Sequence, residues 1–203
     1  MAYEGRGRPV IADPGRGGAA GPHRSPLIDA PTLAAFGEHP VAPAPHTNVE
    51  LDAVLDLLSR RVGRTRVTTV SVGHGRDTAS RAAAQAFIDA WSRRGEVITV
   101  ESWPEVAASW LRPATRLTAQ APDAWVIASA PVGFAQLARR LRDSTTWRPD
   151  RTVGFACLND SRLPALAGAG VVDGMHGATV EGGTWVVRHG WITTHAPEPS
   201  DGQ

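Results

Sequence analysis

The sequence contains no lysine and only one cysteine among its 203 residues. A single cysteine excludes an intramolecular disulfide and any metal site built from several thiolates. Without lysine the chain cannot form an ordinary P-loop, in which a lysine contacts the nucleotide phosphates. An excess of one charge is also missing, because 21 basic and 20 acidic residues leave a formal net charge of +1. This balance does not favour nucleic acid or an anionic membrane surface as a partner.

Long apolar runs are absent as well. No segment approaches the roughly 20 apolar residues that span a bilayer, and the N-terminus lacks the continuous apolar stretch of a signal peptide. We therefore expect a soluble, cytoplasmic protein with no membrane span. Residues 1–24, rich in Gly, Pro and Arg, are expected to form a disordered tail. Residues 25–47 are expected to lie extended as a Pro-rich crossover segment, and residues 196–203 to form a polar tail.

Residues 48–195 alternate between helix and strand patterns and are expected to form one α/β domain. The first helix is predicted from NVELDAVLDLLSRR, whose apolar residues recur at helical spacing and whose Asn48 is a candidate N-cap. Strands and helices then alternate as VTTVSV, TASRAAAQAFIDAWSRRG, EVITVE, EVAASWLRPATRLTAQA with a kink or break at Pro113, DAWVIAS, GFAQLARRLRD and TVGFAC. This order predicts right-handed crossovers and a doubly wound, mainly parallel sheet with helices on both faces. The last β-type segment, GATVEGGTWVVRHGWITTH, is expected to add an edge strand or a hairpin.

Ligands of such sheets bind beyond the carboxyl ends of the strands. The turn GHGRDT follows the first predicted strand and places His74 at this edge, either as a ligand contact or as a solvated loop residue. The turn lacks the third glycine of the dinucleotide fingerprint, so nucleotide binding is the weaker interpretation. Arg76 and Asp77 are candidates to bind a polar ligand. Asp77 is also a candidate cap for the following helix, and capping is the simpler role.

No motif pairs a nucleophile with a base. The G-x-S-x-G pentapeptide of α/β hydrolases does not occur, and Cys157 lies in the apolar run TVGFAC, where a buried, inert thiol is expected. Ser129, Asp160 and His176 would form a catalytic triad only if the fold brought them together. The histidines are too scattered along the sequence to predict a metal site. We therefore expect a protein that is not an enzyme and that requires no metal or cofactor.

Three stretches in succession resemble the type I periplasmic binding proteins, specifically the branched-chain amino acid receptors of ABC transporters. They are RVTTVSVGHGRDTASRAAAQAFIDAWSRRGEVITVESWP, LTAQAPDAWVIASAPVGFAQLARRLRD and TVGFACLNDSRLPALAGAGVVDGMHGATV, with APDAWVIAS as the most specific piece. The segment SPLIDAPTLAAFGEHPVAPAPHTNVELDAVLDLL is similar to the family's crossover from the first lobe into the second. The resemblance covers residues 25–190 and includes one complete lobe.

This resemblance implies a non-enzymatic module that holds a small polar metabolite, for example an amino acid, in a cleft between lobes. With one lobe present, it implies that a second copy in a homo-oligomer or a separate partner chain completes the cleft. The alternative is a protein interaction module that has lost ligand binding. The positions that match the family's contacts, together with His74, give the candidate ligand-binding residues Thr32, His74, Arg76, Asp77, Ser129, Ala130, Asn159 and Asp160.

Overall fold

The computed structural model describes residues 27–28, 30–35, 42–59 and 66–197. The predicted tail at residues 1–24 and most of the predicted polar tail lie outside these ranges. The described helices are α1 (Ala30–Ala35), α2 (Asn48–Ser59), α3 (Thr78–Trp91), α4 (Leu111–Thr118), α5 (Pro131–Ser144) and α6 (Leu163–Ala167). The described strands are β1 (Thr69–Gly75), β2 (Glu96–Trp103), β3 (Ala124–Ala128), β4 (Thr152–Gly154), β5 (His176–Ala178), β6 (Thr184–Arg188) and β7 (Trp191–His195). Two 3-10 turns, Pro149–Arg151 and Ala156–Leu158, flank β4.

These strands form one sheet in the order β2-β1-β3-β4-β5-β6-β7. Neighbours from β2 to β5 are parallel, whereas β6 and β7 are antiparallel additions at one side. The doubly wound, mainly parallel sheet is therefore confirmed, and the last segment forms a hairpin. His189 and Gly190 connect its strands with φ values of 51° and 78°. Two successive positive φ values are typical of the tight turn that follows the twist of a hairpin.

The sheet separates two apolar cores, because successive strand side chains point to opposite faces. One face packs α2 and α3 against the sheet through a cluster that includes Val54, Leu58, Phe87 and Trp91. The rings of Phe87 and Trp91 stack with their centroids 5.8 Å apart. The opposite face carries α4, α5 and α6, and its cluster includes Trp103, Trp110, Trp125, Phe134, Leu137, Leu141 and Trp185. The prediction of helices on both faces is confirmed.

Two predicted segments differ from the structure. Residues 105–110 are not helical, and α4 begins at Leu111. Pro113 therefore lies in the first helical turn, where the missing N–H removes no internal hydrogen bond, so no kink forms and that prediction is wrong. Within the Pro-rich segment, Ala30–Ala35 form helix α1 instead of continuing an extended course.

Helix α2 begins with a capping box formed by Thr47 and Glu50. The Glu50 N–H donates to Thr47 Oγ1 at 3.2 Å, and the Thr47 N–H donates to Glu50 Oε2 at 3.4 Å. This reciprocal pattern makes Thr47 the N-cap, so the prediction that Asn48 has this role is wrong. Thr47 Oγ1 also donates to the Val180 carbonyl at 2.7 Å, which ties the start of α2 to the residues after β5.

Candidate functional site

A pocket of about 370 Å³ lies at the edge of the sheet where the parallel strands end, called the carboxyl edge below. This volume falls within the roughly 300–1,000 Å³ of small-molecule sites. Alanines from β3 and the first turns of α3 form much of its apolar wall. The polar side chains along it come from the start of α2, from α3, from the segments after β4 and β5, and from β7. The polar lining residues are His46, Glu50, Ser80, Asn159, Thr179, Glu181 and Thr194.

Glu50 forms one wall of the pocket and is only 2% exposed. In addition to its contact within the capping box, its Oε1 atom accepts a hydrogen bond from the Ala156 N–H at 2.6 Å. Burial raises the pKa of the Glu50 carboxyl, although these two backbone N–H groups act in the opposite direction. Glu50 therefore fastens α2 to the 3-10 turn after β4 and places an acidic group in the pocket wall.

Two further polar atoms of the lining are buried and lack a hydrogen-bond partner within the described part of the chain. They are His46 Nδ1 and Ser80 Oγ, and Ser80 is only 1% exposed. The His46 ring packs edge-on against Phe155, with their centroids 6.0 Å apart. A buried polar atom without a partner costs about 1–3 kcal/mol. The side chains of His46 and Ser80 line the pocket, and a hydrogen-bond partner for either atom would recover this cost.

Asn159 and Cys157 line the pocket from the 3-10 turn and the residue after it. Asn159 Oδ1 accepts a hydrogen bond from Thr194 Oγ1 at 3.4 Å, which connects this turn to β7. Burial raises the pKa of the Cys157 thiol to about 12. Because the thiolate is the nucleophilic form, this thiol is unreactive at neutral pH, as the sequence predicts. The residue is half-buried, and it lies in a turn instead of the predicted strand.

The turn GHGRDT is mostly strand. β1 continues through His74 to Gly75, and α3 begins at Thr78. Asp77 is the N-cap of α3, since its Oδ1 accepts from the Ser80 N–H at 2.8 Å. Arg76 is exposed, and its backbone N–H donates to the Trp103 carbonyl at 3.1 Å. None of these residues except Ser80 lines the pocket.

Ser129 and Ala130 lie between β3 and α5. Ser129 is fully buried, and its Oγ accepts from Trp103 Nε1 at 3.2 Å and donates to the Ala130 carbonyl at 3.1 Å. Ala130 is the N-cap of α5 and contributes no side-chain hydrogen bond. His74 Nδ1 lies 2.7 Å from the Gly75 carbonyl oxygen. His74, Ser129 and Ala130 therefore stabilise the end of the sheet beside the pocket, and they do not line the pocket.

The candidate residues predicted from the sequence thus fall into separate groups. Those at the ends of β1 and β3 lie near one another, and Asn159 and Asp160 follow β4. Asp160 forms an ion pair with Arg162 at 2.6 Å, and this hydrogen bond lowers the pKa of its carboxyl. Thr32 lies on α1 and is not part of the lining. Of the eight candidates, only Asn159 lines the pocket.

Several lining residues were not candidates in the sequence: His46, Glu50, Ser80, Glu181 and Thr194. One signal was present, because TNVE has the spacing of a capping box and indicates the local role of Glu50. Its contact with Ala156, 106 residues further along, has no sequence pattern.

A second glutamate of the carboxyl edge, the half-buried Glu105, lies on the opposite face of the sheet. Glu105 Oε1 accepts a hydrogen bond from the Gly133 N–H, in the first turn of α5, at 2.6 Å. Burial raises the pKa of the Glu105 carboxyl, and the nearby charge of Asp77 adds to the rise. A Cβ at position 133 would meet this carboxylate at 2.6 Å, so glycine allows the close approach. The helix N-terminus, a natural anion site, is thereby occupied by the protein's own carboxylate.

Within the described ranges, no group of three or more His, Cys, Asp or Glu residues has an arrangement that could hold a metal ion. Among the helices of the same ranges, none is long and apolar enough to cross a membrane.

No protein-family model matches the chain, and no curated protein matches it in sequence. Its fold is similar to that of several solved structures. A provisionally assigned branched-chain amino acid ABC transporter from Rhodospirillum rubrum has a TM-score of 0.54 and 23% identity, with 65% of this chain and 37% of that chain covered. An extracellular ligand-binding receptor from Rhodopseudomonas palustris HaA2 has a TM-score of 0.52 and 19% identity, with 62% and 34% covered. A substrate-binding periplasmic protein from Ralstonia solanacearum has a TM-score of 0.52 and 19% identity, with 67% and 37% covered.

These similarities show the fold of the chain. The chain spans about a third of the length of the proteins that it matches, which corresponds to one lobe. Its mainly parallel sheet with helices on both faces is that of a single lobe of the type I periplasmic binding proteins. The resemblance noted in the sequence is confirmed at the level of the fold.

Proposed function

We propose that this single lobe is a non-enzymatic module that binds a small polar metabolite, an amino acid or a related compound, in the pocket at its carboxyl edge. The observation that carries the proposal is the pocket itself, because it has the volume of a ligand site and its lining includes side chains whose buried polar atoms have no partner among the described residues. Its position agrees with the rule for ligand binding in open α/β sheets. The similar structures include a protein named as a ligand-binding receptor and one named as a substrate-binding protein.

Two features of the chain support binding without catalysis. The thiol of the pocket is held in its unreactive protonated form. His176 is in register with Val153 and, through it, with Val126, three residues before Ser129. The histidine is therefore ~10 Å from that serine along the strand direction alone. A Ser-His pair of the triad type requires a hydrogen bond between the two side chains, and this separation does not allow one.

The proposal includes a second body that covers the open side of the pocket. A second copy of this chain or a separate partner chain would take the place of the other lobe, and would raise the buried fraction of the ligand toward the ~70–90% typical of small-molecule sites. The cytoplasmic location expected from the sequence remains a prediction.

The test is thermal unfolding against a panel of amino acids, amines, amides and small organic acids. A ligand at about 100 times its dissociation constant should stabilise the folded state by about 2.7 kcal/mol. Ala79→Leu fills the pocket from the first turn of α3 and should abolish this stabilisation. Ala82→Leu is the matched control, because Ala82 is exposed on the same helix, and it should retain the shift.

The same assay compares the pocket with the residues predicted from the sequence. Arg76→Ala combined with Asp160→Ala leaves the lining unchanged and should retain binding. Loss of binding in this double variant, with binding kept in Ala79→Leu, would move the site to the ends of β1 and β4. A cooperatively folding protein that no panel member stabilises would contradict the proposal.

One observation favours the second candidate function, a protein interaction module. Trp191 is 77% exposed on β7, one of the two edge strands of the described sheet. An edge strand presents unpaired backbone groups that another chain can use, and exposed aromatic side chains are frequent anchors of interfaces. If the panel gives no stabilisation, pull-down of a partner by the wild type and its loss in Trp191→Ala would support this candidate.

A further inference from the structure

The charged groups of the pocket are of one sign. Glu50 and Glu181 line it, and none of the arginines in the described ranges does. Because the chain contains no lysine, arginine is its only strongly basic side chain and the only one that could supply a permanent positive charge. His46 is the remaining ionisable nitrogen of the lining. The acidic groups of the described lining are therefore the nearly buried Glu50 and the exposed Glu181, and this lining holds no permanent cation.

Backbone donors that would receive an anionic ligand are already engaged. The Ser80 N–H at the start of α3 donates to Asp77 Oδ1 at 2.8 Å. The Ala156 N–H, after β4, donates to Glu50 at 2.6 Å. On the other face of the edge, the first turn of α5 donates to Glu105 at 2.6 Å. Three positions suited to an anion by the partial positive charge of a turn or helix start are thus filled by the protein's own carboxylates.

The groups that remain unpaired are able to accept hydrogen bonds. Ser80 Oγ is buried in the lining without a partner among the described residues, and the same holds for His46 Nδ1. A hydroxyl oxygen has two lone pairs, and a neutral imidazole has one accepting nitrogen. An ammonium group has three N–H donors and no acceptor, so its requirements complement these atoms and the two carboxylates.

On the basis of the function proposed above, we propose that the pocket prefers ligands that carry an ammonium group and no carboxylate, that is, small organic amines. An α-amino acid would bring a carboxylate against Glu50 and Glu181 without a basic side chain to receive it. An amine with the same carbon skeleton avoids this repulsion. It also supplies a positive charge to Glu50, whose burial disfavours the charged form.

The test compares three compounds with one branched carbon skeleton: 3-methylbutylamine, leucine and 4-methylpentanoate. They carry an ammonium group alone, both groups, and a carboxylate alone. Titration calorimetry and thermal unfolding of the full chain should show binding in the order amine, leucine, acid. We expect at least a tenfold weaker affinity for leucine than for the amine, and no shift with the acid. Tighter binding of leucine or of the acid would overturn the preference and leave the proposed function standing.

A pair of variants examines the carboxylates. Glu181 is exposed at the pocket, and Glu181→Gln should weaken the amine about two- to fivefold, the value of an exposed ion pair. Glu96→Gln is the matched control, since Glu96 is exposed at the start of β2 and lies outside the lining. Equal effects of the two variants would contradict a role for the pocket carboxylates.

The panel separates failure of this inference from failure of the proposed function. If neutral amides or organic acids stabilise the protein and no amine does, the charge preference is wrong and the binding function is supported. If no compound of any charge stabilises a cooperatively folding protein, both proposals are contradicted.

Discussion

The two faces of the carboxyl edge use the same chemical device with different results. On each face a glutamate accepts a hydrogen bond from a backbone N–H at 2.6 Å. The buried Glu50 accepts from Ala156, and the half-buried Glu105 accepts from Gly133. On the face of Glu105, called the filled face below, Trp103 is buried in the core. Its indole Nε1 donates to Ser129 Oγ, and a Cβ at Gly73 would meet the ring at 2.8 Å.

On the face of Glu50, called the open face below, alanines of α3 and β3 contribute to the lining of a pocket of about 370 Å³. The small side chains of these alanines leave room for the pocket on the face of Glu50. A carboxylate that caps a turn is a structural feature on the filled face. The same group becomes a candidate ligand contact on the open one.

The largest expected effect tests the filled face. Trp185 is fully buried in the cluster that contains Trp103, and its Nε1 donates to the Ala178 carbonyl at 2.9 Å. Trp185→Ala should lower the free energy of unfolding by about 3–5 kcal/mol, because it leaves a cavity in a packed core. Denaturant unfolding measures this loss.

Trp191→Ala is the control, since Trp191 is exposed in the same hairpin. It should change the free energy of unfolding by no more than about 0.5 kcal/mol. Similar losses in the two tryptophan variants would contradict the tight packing of Trp185 on the filled face.

A smaller effect is expected where α2 meets the open face. Thr47→Ala removes the hydroxyl that caps the Glu50 N–H and bonds the Val180 carbonyl, so the free energy of unfolding should fall by about 0.5–2 kcal/mol. Asn48→Ala is the matched control and should cost less, because Asn48 is not the cap. Chemical denaturation of both variants gives the answer, and a greater loss in Asn48→Ala would restore the prediction made from the sequence.

The smallest effect is the dependence of stability on pH. Burial raises the pKa of both Glu50 and Glu105 above the ordinary value of 4.5. Between that value and the folded-state pKa, the folded protein binds more protons than the unfolded chain. The contribution of these two glutamates to the free energy of unfolding is therefore greatest below pH 4.5 and is lost as the pH rises through their folded-state pKa. Glu50→Gln or Glu105→Gln should flatten this fall, measured by denaturant unfolding from pH 4 to 7.

Asp123 should have the opposite pH dependence, because its pKa is lowered and not raised. Although burial opposes it, hydrogen bonds from the N–H groups and hydroxyls of Thr68 and Thr69 lower the pKa of the Asp123 carboxyl below 3.8. Its contribution is present above pH 3.8 and is lost as the pH falls through the lowered value. Asp123→Asn should thus lower the free energy of unfolding at neutral pH, and the difference from the wild type should disappear in acid.

For Glu50→Gln and Glu105→Gln, a free energy of unfolding that falls more steeply toward neutral pH than in the wild type would contradict the assigned pKa directions.

The elements that followed from the sequence are those with a local periodic signal. β1, β2, β3, α2, α3 and α5 were predicted because their apolar residues recur at the spacing of a strand or a helix. Asp77 was recognised as a candidate cap for the same reason, since the cap and the N–H it accepts lie three residues apart.

The site could be located only to the carboxyl edge. Among its candidate residues, Asn159 lines the pocket, whereas Arg76 is exposed and Asp160 is paired with Arg162. That a residue follows a strand end does not predict the direction of its side chain. Nor does it show which neighbours are small enough to leave a pocket.

The sequence by itself determined the alternation of strands and helices, the edge at which a ligand site is expected, and the absence of lysine from any site. These properties depend on residue type and on spacing over a few positions. Only the tertiary structure decided that His46, Glu50 and Ser80 face one pocket with residues that follow β4 and β5. The physical reason is that the pocket is bounded by segments more than 100 residues apart in sequence, as the Glu50 to Ala156 contact shows. Their approach is set by the packing of helices on the sheet, which no local pattern records.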